Sequence, residues 1–238
     1  MRKVACLFVT VLASVSLTSC FFDGNSVDGS GNVISQDRHL SGFTGIRVQN
    51  GMELTLEQGD SYKVVVEADD NVQPHILTEI ENGTLIISSD RNSFRNVTME
   101  VTVTMPTISK IEANSGTSVN SKNTLLGTDV TIVATGGSSV ELAIESDKVT
   151  AETDNGSSMT LRGKALTLQT TSGAGSNLDA ESLVANDVKS QASSGSSVSV
   201  HPAVNLNANA SSGASISYSG NPATANVESN SGGSVSKE

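Results

Sequence analysis

The chain has few of the residues that build thick globular cores. Of its 238 residues, aromatic side chains make up 3%, and tryptophan is absent. Thin layers of Val, Ile, Leu and Ala fit this composition better than a core built on large rings. A Gly- and Ser-rich chain can also be a disordered linker, but the apolar residues here recur too regularly for a linker.

Basic residues are scarce as well. The chain has 14 Lys and Arg residues against 25 Asp and Glu residues, and its formal net charge is −11. Such a surface repels the phosphate backbone of nucleic acids and disfavours acidic polysaccharides unless calcium mediates the contact. We therefore expect no nucleic-acid partner.

Only two cysteines are present, and both lie near the N-terminus. Arg2 and Lys3 precede the mostly apolar segment 4–17, which contains Cys6 and is too short to span a bilayer. This pattern is typical of a signal peptide. The following Leu17-Thr18-Ser19-Cys20 resembles the lipobox of bacterial lipoproteins. The resemblance implies cleavage before Cys20 and acylation of that cysteine, whereas the alternative is a plain secretory signal with a chance cysteine.

We therefore interpret residues 1–19 as a lipoprotein signal peptide and Cys20 as a lipidation site. Its acyl chains would hold the protein to a membrane of the cell envelope. Phe21, rather than Asp, follows the cysteine, which favours the outer membrane; the periplasmic and the exposed face both stay open. Cys20 would be the only mature cysteine, so no intramolecular disulfide is expected. Removal of Arg2 and Lys3 changes the net charge from −11 to −13.

Residues 20–37 are predicted to comprise the lipidated cysteine and a flexible tether. The segment is polar and Gly-rich, as flexible linkers are. A first ordered strand over residues 32–35 is the alternative.

A short phrase recurs through the second half of the chain: Gly, a small residue, Ser or Asn, and an apolar residue. Successive glycines are 18 to 21 residues apart. A fixed period near twenty indicates a solenoid, in which each repeat buries its apolar face by stacking on the next. The seven phrases begin at Gly116, Gly137, Gly156, Gly175, Gly195, Gly213 and Gly232.

A segment of alternating apolar and polar residues precedes these phrases, as in Val130–Ala134 and Val149–Thr153. This period of two is typical of a half-buried strand. We interpret the glycines as corners that need a positive φ, and inward residues such as Ala151 and Ala208 as fillers of a narrow interior. The sequence predicts a β-solenoid of about 19–20 residues per repeat, with a β-sandwich as the alternative. The Gly-x-Ser phrases lack the setting of a catalytic nucleophile elbow.

The first half is predicted to be β as well, but less regular. The turn signals Gln58-Gly59-Asp60 and Glu81-Asn82-Gly83 separate candidate strands, and residues 72–79 could hold a helical turn instead. The predicted strands are Gly45–Gln49, Met52–Glu57, Tyr62–Ala68, Ile76–Ile80, Thr84–Ser88 and Thr98–Met105.

Several motifs in this half resemble the head GIN domain family of adhesins. They are Gly31-Asn32-Val33, the run from Arg38 to Ile46, Gln58-Gly59-Asp60, the run from Val66 to Asn71 and the run from Glu79 to Ile86. The resemblance implies an all-β, right-handed parallel β-helix in a Gram-negative lipoprotein or secreted protein. The similarity covers roughly residues 31–236, and we place the domain at residues 38–236, with an irregular β portion at 38–105 and the repetitive solenoid at 106–236.

The sequence contains few candidates for catalytic or metal-binding residues. His39, His75 and His201 lack metal-ligand spacing. Asp69-Asp70-Asn71 is the densest acidic cluster, which we interpret as a turn, with a cation site as the alternative. Asp90, Arg91 and Arg95 are interpreted as a salt-bridged loop, with an anion contact as the alternative. We expect no catalytic residue, cofactor or resident metal.

A polysaccharide lyase or hydrolase is the enzymatic alternative. Hydrolysis needs two carboxyl groups roughly 5–9.5 Å apart, and Glu152 with Asp154 is the obvious pair. Stacking aromatic residues are nearly absent from the solenoid, where Tyr218 stands alone. The other solenoid aspartates occupy different phases of the repeat and are expected to scatter: Asp129, Asp147, Asp179 and Asp187.

The function we predict is a non-catalytic cell-envelope lipoprotein, an adhesin or a module that binds a glycan or a protein with its solenoid surface. An envelope structural protein that self-associates is the first alternative, since open solenoid ends expose unpaired backbone groups. A homo-oligomer is therefore possible. The carbohydrate-active enzyme is the second alternative.

Overall fold

The computed structural model describes residues 26–91 and 93–238. The predicted signal peptide, the predicted lipidation site Cys20 and the start of the predicted tether lie outside the described residues. Within the described ranges, no helix is long and apolar enough to cross a membrane.

The described chain is almost entirely β-structure. All strands but two belong to one sheet of 17 strands, and a short 3-10 helix at Gln73–His75 is the helical element among the described residues. The strands of the first half are β1 (Val27–Asp28), β2 (Val33–Asp37), β3 (Gly45–Val48), β4 (Glu53–Gln58), β5 (Lys63–Asp69), β6 (Ile76–Glu81), β7 (Thr84–Ser89), β8 (Phe94–Arg95) and β9 (Met99–Met105). The strands of the second half are β10 (Lys110–Asn114), β11 (Ser118–Ser121), β12 (Leu125–Thr135), β13 (Ser139–Thr153), β14 (Ser158–Ser172), β15 (Asn177–Ala192), β16 (Ser197–Ala210), β17 (Ser215–Tyr218), β18 (Thr224–Ser229) and β19 (Ser234–Lys237).

The second half is a parallel β-solenoid, as predicted. Each of the seven glycine phrases begins at a corner, here called the glycine corner, that joins two faces of the coil. Strand segments that lead into this corner form the first face, and segments that leave it form the second face. Strands β13 to β16 are long because each starts on the second face, passes the opposite corner and ends on the first face.

The glycine corner is built from two consecutive residues with positive φ. Asn155 (φ 54°) and Gly156 (φ 71°) are one example, and all seven predicted corner glycines share this conformation. The second position is glycine in all seven corners, whereas the first is Ser, Asn, Ala or, at Gly136, glycine. Glycine adopts left-handed backbone without the cost of about 1–2 kcal/mol that a Cβ brings. The interpretation of the phrases as corners is confirmed.

The residue after the corner glycine usually turns a hydroxyl group inward. Ser138 Oγ donates to the carbonyl oxygen of Ala113 at 2.9 Å, and Ser157 Oγ donates to that of Ala134 at 2.7 Å. Both serines are buried. The carbonyl oxygen of Ala134 also accepts the backbone N–H of Asp154 at 3.0 Å, so the Ser157 hydroxyl group adds a second hydrogen bond. Such a bond contributes about 0.5–1.5 kcal/mol to stability. The Ser at the following position faces solvent, and the apolar residue after it enters the core.

The interior of the coil changes along its length. One row of inward-facing residues on the first face begins with isoleucines and continues with small and hydroxylated residues in the later coils. The predicted inward positions of Ala151 and Ala208, which belong to this row, are confirmed. Farther along, Thr170 Oγ1 donates to Ser190 Oγ at 2.9 Å, so buried hydroxyl groups pair between successive coils. The row is Ile46, Ile111, Ile132, Ala151, Thr170, Ser190 and Ala208.

The first half is less regular, as predicted, because antiparallel strands interrupt it, but it also contributes coils to the solenoid. β3 and β4 flank a corner at Asn50 and Gly51, both with positive φ. They pair in parallel with β10 and β11 on one side and with β7 and β9 on the other. The chain thus builds the coil β3–β4, departs for β5 to β9, and returns to stack the coil β10–β11 on β3–β4 with a constant offset of 65 residues.

Charged side chains join the two coils at this return point. Glu112 lies within 2.7 Å of both Arg47 and Lys110. Its burial raises the carboxyl pKa, but the hydrogen bonds and charges of Lys110 and Arg47 outweigh that effect and hold the pKa below its ordinary value of 4.5. The lowered pKa means that this contribution to stability is present above the ordinary pKa and is lost as the pH falls through the lowered one.

The two ends of the solenoid differ. Antiparallel strands cover the N-terminal end, where β5 pairs with β9, β2 pairs with β5, and β6 pairs with β7. At the other end, β18 pairs with β16 and β19 with β17. No further strand of the described chain pairs with the outer edges of β18 and β19, and every residue of β18 is exposed.

The predicted strands and turns of the first half agree with the structure. Their bounds differ by one residue, the Asn82-Gly83 turn joins β6 to β7, and the helical turn considered for residues 72–79 occupies Gln73–His75 before β6 begins. The predicted tether is shorter than expected. Residues 27–28 and 33–37 are strands β1 and β2, because β8 and β5 offer them free edges.

Candidate functional site

The second face presents two straight rows of small polar side chains to solvent. In the first row, residues of neighbouring strands lie in register, about 4.8 Å apart. The second row, two residues farther along each strand, begins with an amide, two acids and a threonine and ends with three serines. The first row is Ser118, Ser139, Ser158, Asn177, Ser197, Ser215 and Ser234, and the second is Asn120, Glu141, Thr160, Asp179, Ser199, Ser217 and Ser236.

The cluster Asp69-Asp70-Asn71 is a turn, as interpreted, and it clamps the N-terminal segment. Asp69 is 2% exposed. Its Oδ1 accepts the N–H of Gly31 at 2.6 Å, and its Oδ2 accepts the N–H of Thr98 at 2.7 Å. Asn71 Nδ2 donates to the carbonyl oxygen of Asp28 at 2.7 Å. These carboxylate and amide groups therefore bind backbone of the same chain.

Asp70 completes this clamp from the exposed side. Its carboxylate accepts hydrogen bonds from Ser30 Oγ at 2.6 Å and Asn32 Nδ2 at 2.9 Å. These two bonds lower the pKa of the Asp70 carboxyl below its ordinary value of 3.8. This part of the clamp is therefore retained above that value and lost as the pH falls through the lowered pKa.

The three histidines lie on separate elements. His39 Nδ1 is 3.6 Å from Asp37, His75 Nδ1 is 2.9 Å from Asp90, and His201 Nδ1 is 3.2 Å from the carbonyl oxygen of Glu181. In the described chain, no group of three or more His, Cys, Asp or Glu side chains is placed to hold a metal ion.

The loop between β7 and β9 overhangs the glycine-corner side at the N-terminal end. Arg91 Nε lies 3.8 Å from Asp90 Oδ1, which agrees with the interpretation as a salt-bridged loop; Arg95 belongs to β8. A cavity of about 600 Å³ lies beneath this loop, with Glu53 and Glu100 in its wall. These glutamates are partners on adjacent strands. Sequence reasoning missed the pair because the two residues are 47 positions apart in no repeating pattern.

The carboxylates proposed for hydrolysis do not converge with the others. Glu152 points outward on the first face, and Asp154 follows at the glycine corner, both exposed. The remaining aspartates scatter as expected, with Asp129 and Asp187 on the first face, Asp147 at the opposite corner and Asp179 on the second face. Tyr218 packs partly buried against the core, so its ring is not an open platform for a sugar.

The family model described as "Putative auto-transporter adhesin, head GIN domain" matches residues 42–222. The chain belongs to this family. The predicted resemblance is thereby confirmed, and the family description indicates a role at the cell envelope or surface. A search of curated proteins found no significant match.

Solved structures share the fold of this head GIN domain. A putative adhesin from Bacteroides fragilis superposes with a TM-score of 0.80 at 20% identity, covering 89% of this chain and 100% of its own. A putative lipid binding protein from Parabacteroides distasonis gives 0.75 at 19% identity, covering 90% and 99%. A putative adhesin from Parabacteroides merdae gives 0.71 at 16% identity, covering 90% and 99%. At these identities, the likeness establishes the fold.

The clamp predicts a measurable difference between Asp69 and Asp70. Asp69→Asn replaces one carboxylate oxygen by an N–H donor that faces another donor, so we expect a loss of about 1–3 kcal/mol and faster amide hydrogen exchange across residues 28–37. Asp70→Asn serves as the exposed control, with a smaller effect on both. Hydrogen exchange followed by mass spectrometry, with urea unfolding, measures these changes. Unchanged exchange in Asp69→Asn would contradict the clamp.

Proposed function

We propose that this chain is a non-catalytic, lipid-anchored protein of the cell envelope that binds a repetitive neutral glycan, or a protein surface, through the second face of its solenoid. The observation that carries the proposal is the pair of polar rows on that face. Groups that donate and accept hydrogen bonds repeat about every 4.8 Å, a spacing that suits a ligand with many similar groups. The net charge favours a neutral or cationic ligand over an acidic one.

The clamp at Asp69–Asn71 gives the anchored protein a defined orientation in this proposal. Five residues lie between Cys20 and Ser26, the first described residue, and these six residue steps can span at most about 20–22 Å. The covered N-terminal end of the solenoid would then lie near the membrane, and β18–β19 would lie far from it.

A second candidate function is an assembly role through the exposed end. The outer edges of β18 and β19 are unpaired within the described chain and offer backbone groups to another strand. This observation supports self-association of the envelope protein, the structural alternative to ligand binding.

The anchoring part of the proposal is tested by metabolic labelling in a Gram-negative host. An alkyne-tagged palmitate analogue should label the full chain, and Cys20→Ala should abolish the label because the acceptor sulfur is lost. Cys6→Ala is the matched control and should retain the label, since Cys6 lies within the signal peptide. Equal labelling of both variants would contradict lipidation at Cys20.

The binding part is tested with the chain of residues 26–238 on an array of neutral and acidic glycans. Binding should saturate without turnover of the sugar. Ser158→Arg and Ser197→Arg add bulk to the second face and should reduce binding at least about tenfold, the effect of losing roughly 1.4 kcal/mol. Gln169→Arg and Gln191→Arg place the same side chain on the first face and should leave binding unchanged. Equal losses in both pairs, or cleavage of the glycan, would overturn the proposal.

A further inference from the structure

The opposite corner of the solenoid carries an apolar surface that solvent reaches. Four large apolar side chains lie along this one edge: Leu126 is 57% exposed, Leu166 54%, Val204 43% and Val184 39%. Single exposed apolar residues are ordinary, but apolar residues gathered on one exposed surface mark an interaction site.

Strand register places four residues of this corner in a straight row, here called the ridge. Leu126 is the partner of Glu145, Glu145 of Lys164, and Lys164 of Val184. The ridge therefore reads apolar, negative, positive, apolar at intervals of about 4.8 Å. All four residues are exposed.

A groove runs beside the ridge. Its floor consists of the small residues Gly127, Ser146 and Ala165, which follow the ridge residues in each coil, and its volume is about 540 Å³. Asp147, Leu166 and Asn186 form its far wall. These exposed side chains are held in order by the strands beneath them rather than by a flexible loop.

The two ridge charges are unpaired within the described part of the chain. Glu145 and Lys164 are neighbours in register, yet neither forms an ion pair within 4.0 Å, whereas Glu141 and Arg162 on the neighbouring positions approach to 2.7 Å. Both ridge charges are thus free to meet a partner of opposite sign.

We propose that the ridge is a self-association surface that receives a second copy of this chain in an antiparallel, two-fold arrangement. The two-fold axis passes between the coils of Glu145 and Lys164. Glu145 then faces Lys164 of the second copy, and the same pair forms a second time by symmetry. Leu126 faces Val184 of the second copy, so apolar groups flank both ion pairs. The charge order of the ridge is complementary to its own reverse, as an isologous interface requires.

The parallel arrangement is disfavoured by the same residues. A two-fold axis parallel to the solenoid axis would place the ridge of one copy against the far wall of the groove in the other copy. Each coil would then face the same coil of the second copy. Glu145 would then face Asp147 of the second copy, and two carboxylates would repel each other. Charge thus selects the antiparallel dimer, as charge patterns do in other specific interfaces.

The size of the ridge determines how tightly we expect the dimer to associate. Four residues at strand spacing form a ridge only about 14 Å long. A contact of this length buries less surface than an interface of standard size, which buries about 1,600 Å² in total. We therefore expect a reversible dimer with a dissociation constant in the micromolar range that weakens as salt rises.

The test is sedimentation of the chain of residues 26–238, which contains every strand of the structure. Wild type should pass from monomer to dimer between about 1 and 100 μM. Glu145→Lys and Lys164→Glu should each raise the dissociation constant about tenfold or more, because like charges then face each other. The double variant E145K/K164E restores opposite charges and should return the constant to within about threefold of wild type.

Two variants control for net charge. Glu152→Lys lies on the same strand as Glu145 but on the first face, and Lys189→Glu is likewise exposed on the first face; neither should change the dissociation constant. The proposal would be overturned if the wild type stayed monomeric throughout the concentration range, or if neither ridge variant changed the dissociation constant. It would also be overturned if the control variants weakened the dimer equally, or if the double variant failed to restore the wild-type constant. Loss of association in Glu228→Lys, on β18, with unchanged behaviour of Glu145→Lys would assign the contact to the solenoid end instead.

Discussion

The hydrogen-bond ladder between successive glycine corners is the constraint on which the rest of the structure depends. In every coil before the last, the N–H of the corner glycine donates to a corner carbonyl of the next coil, as Gly137 does to Asn155 at 3.1 Å and Gly156 to Ala174 at 3.1 Å. Two left-handed residues are needed to aim both groups along the solenoid axis. Once the corners stack, the strands on either side pair in register, and every outward or inward position becomes part of a straight row. The polar rows, the buried hydroxyl pairs and the ridge all follow from this one alignment.

The same ladder crosses the point where the chain leaves the solenoid and returns. Gly51 N donates to the carbonyl oxygen of Ser115 at 3.0 Å, so the corner of β3–β4 stacks on that of β10–β11 although 65 residues separate them. The intervening strands build one further coil, β7–β9, and the antiparallel cover over the N-terminal end. Such a long-range closure is entropically costly, and the contacts of Glu112 with Arg47 and Lys110 lie at this seam. The clamp at Asp69 then ties the N-terminal segment to the covered end.

Local sequence patterns were enough to predict most of the solenoid. A corner requires glycine at one position and an apolar residue three positions later, and strand alternation needs only neighbouring residues, so Gly116 to Gly232 could be found without the structure. The coil of Asn50 and Gly51 could not, because its neighbours in space are not its neighbours in sequence. The groove beside the ridge was hidden for another reason. Leu166 lies two positions before the buried Leu168, so strand alternation would place it inside the coil, yet it is 54% exposed at the opposite corner. The ion pairs and the clamp depend on which strands meet, which no local pattern records.

Cross-linking between coils tests the order of stacking most directly. Residues 26–238 contain no cysteine, so pairs can be introduced without competition. Thr55 is the register partner of Asn120 on one side and of Thr102 on the other, whereas Glu141 lies one coil beyond Asn120, about 9.6 Å from Thr55 at strand spacing. We predict that Thr55→Cys forms a disulfide with Asn120→Cys and, in a separate variant, with Thr102→Cys, but not with Glu141→Cys, which is beyond the reach of a disulfide. A bond to Glu141→Cys, or none to either neighbour, would contradict the stacking of β3–β4 between β7–β9 and β10–β11.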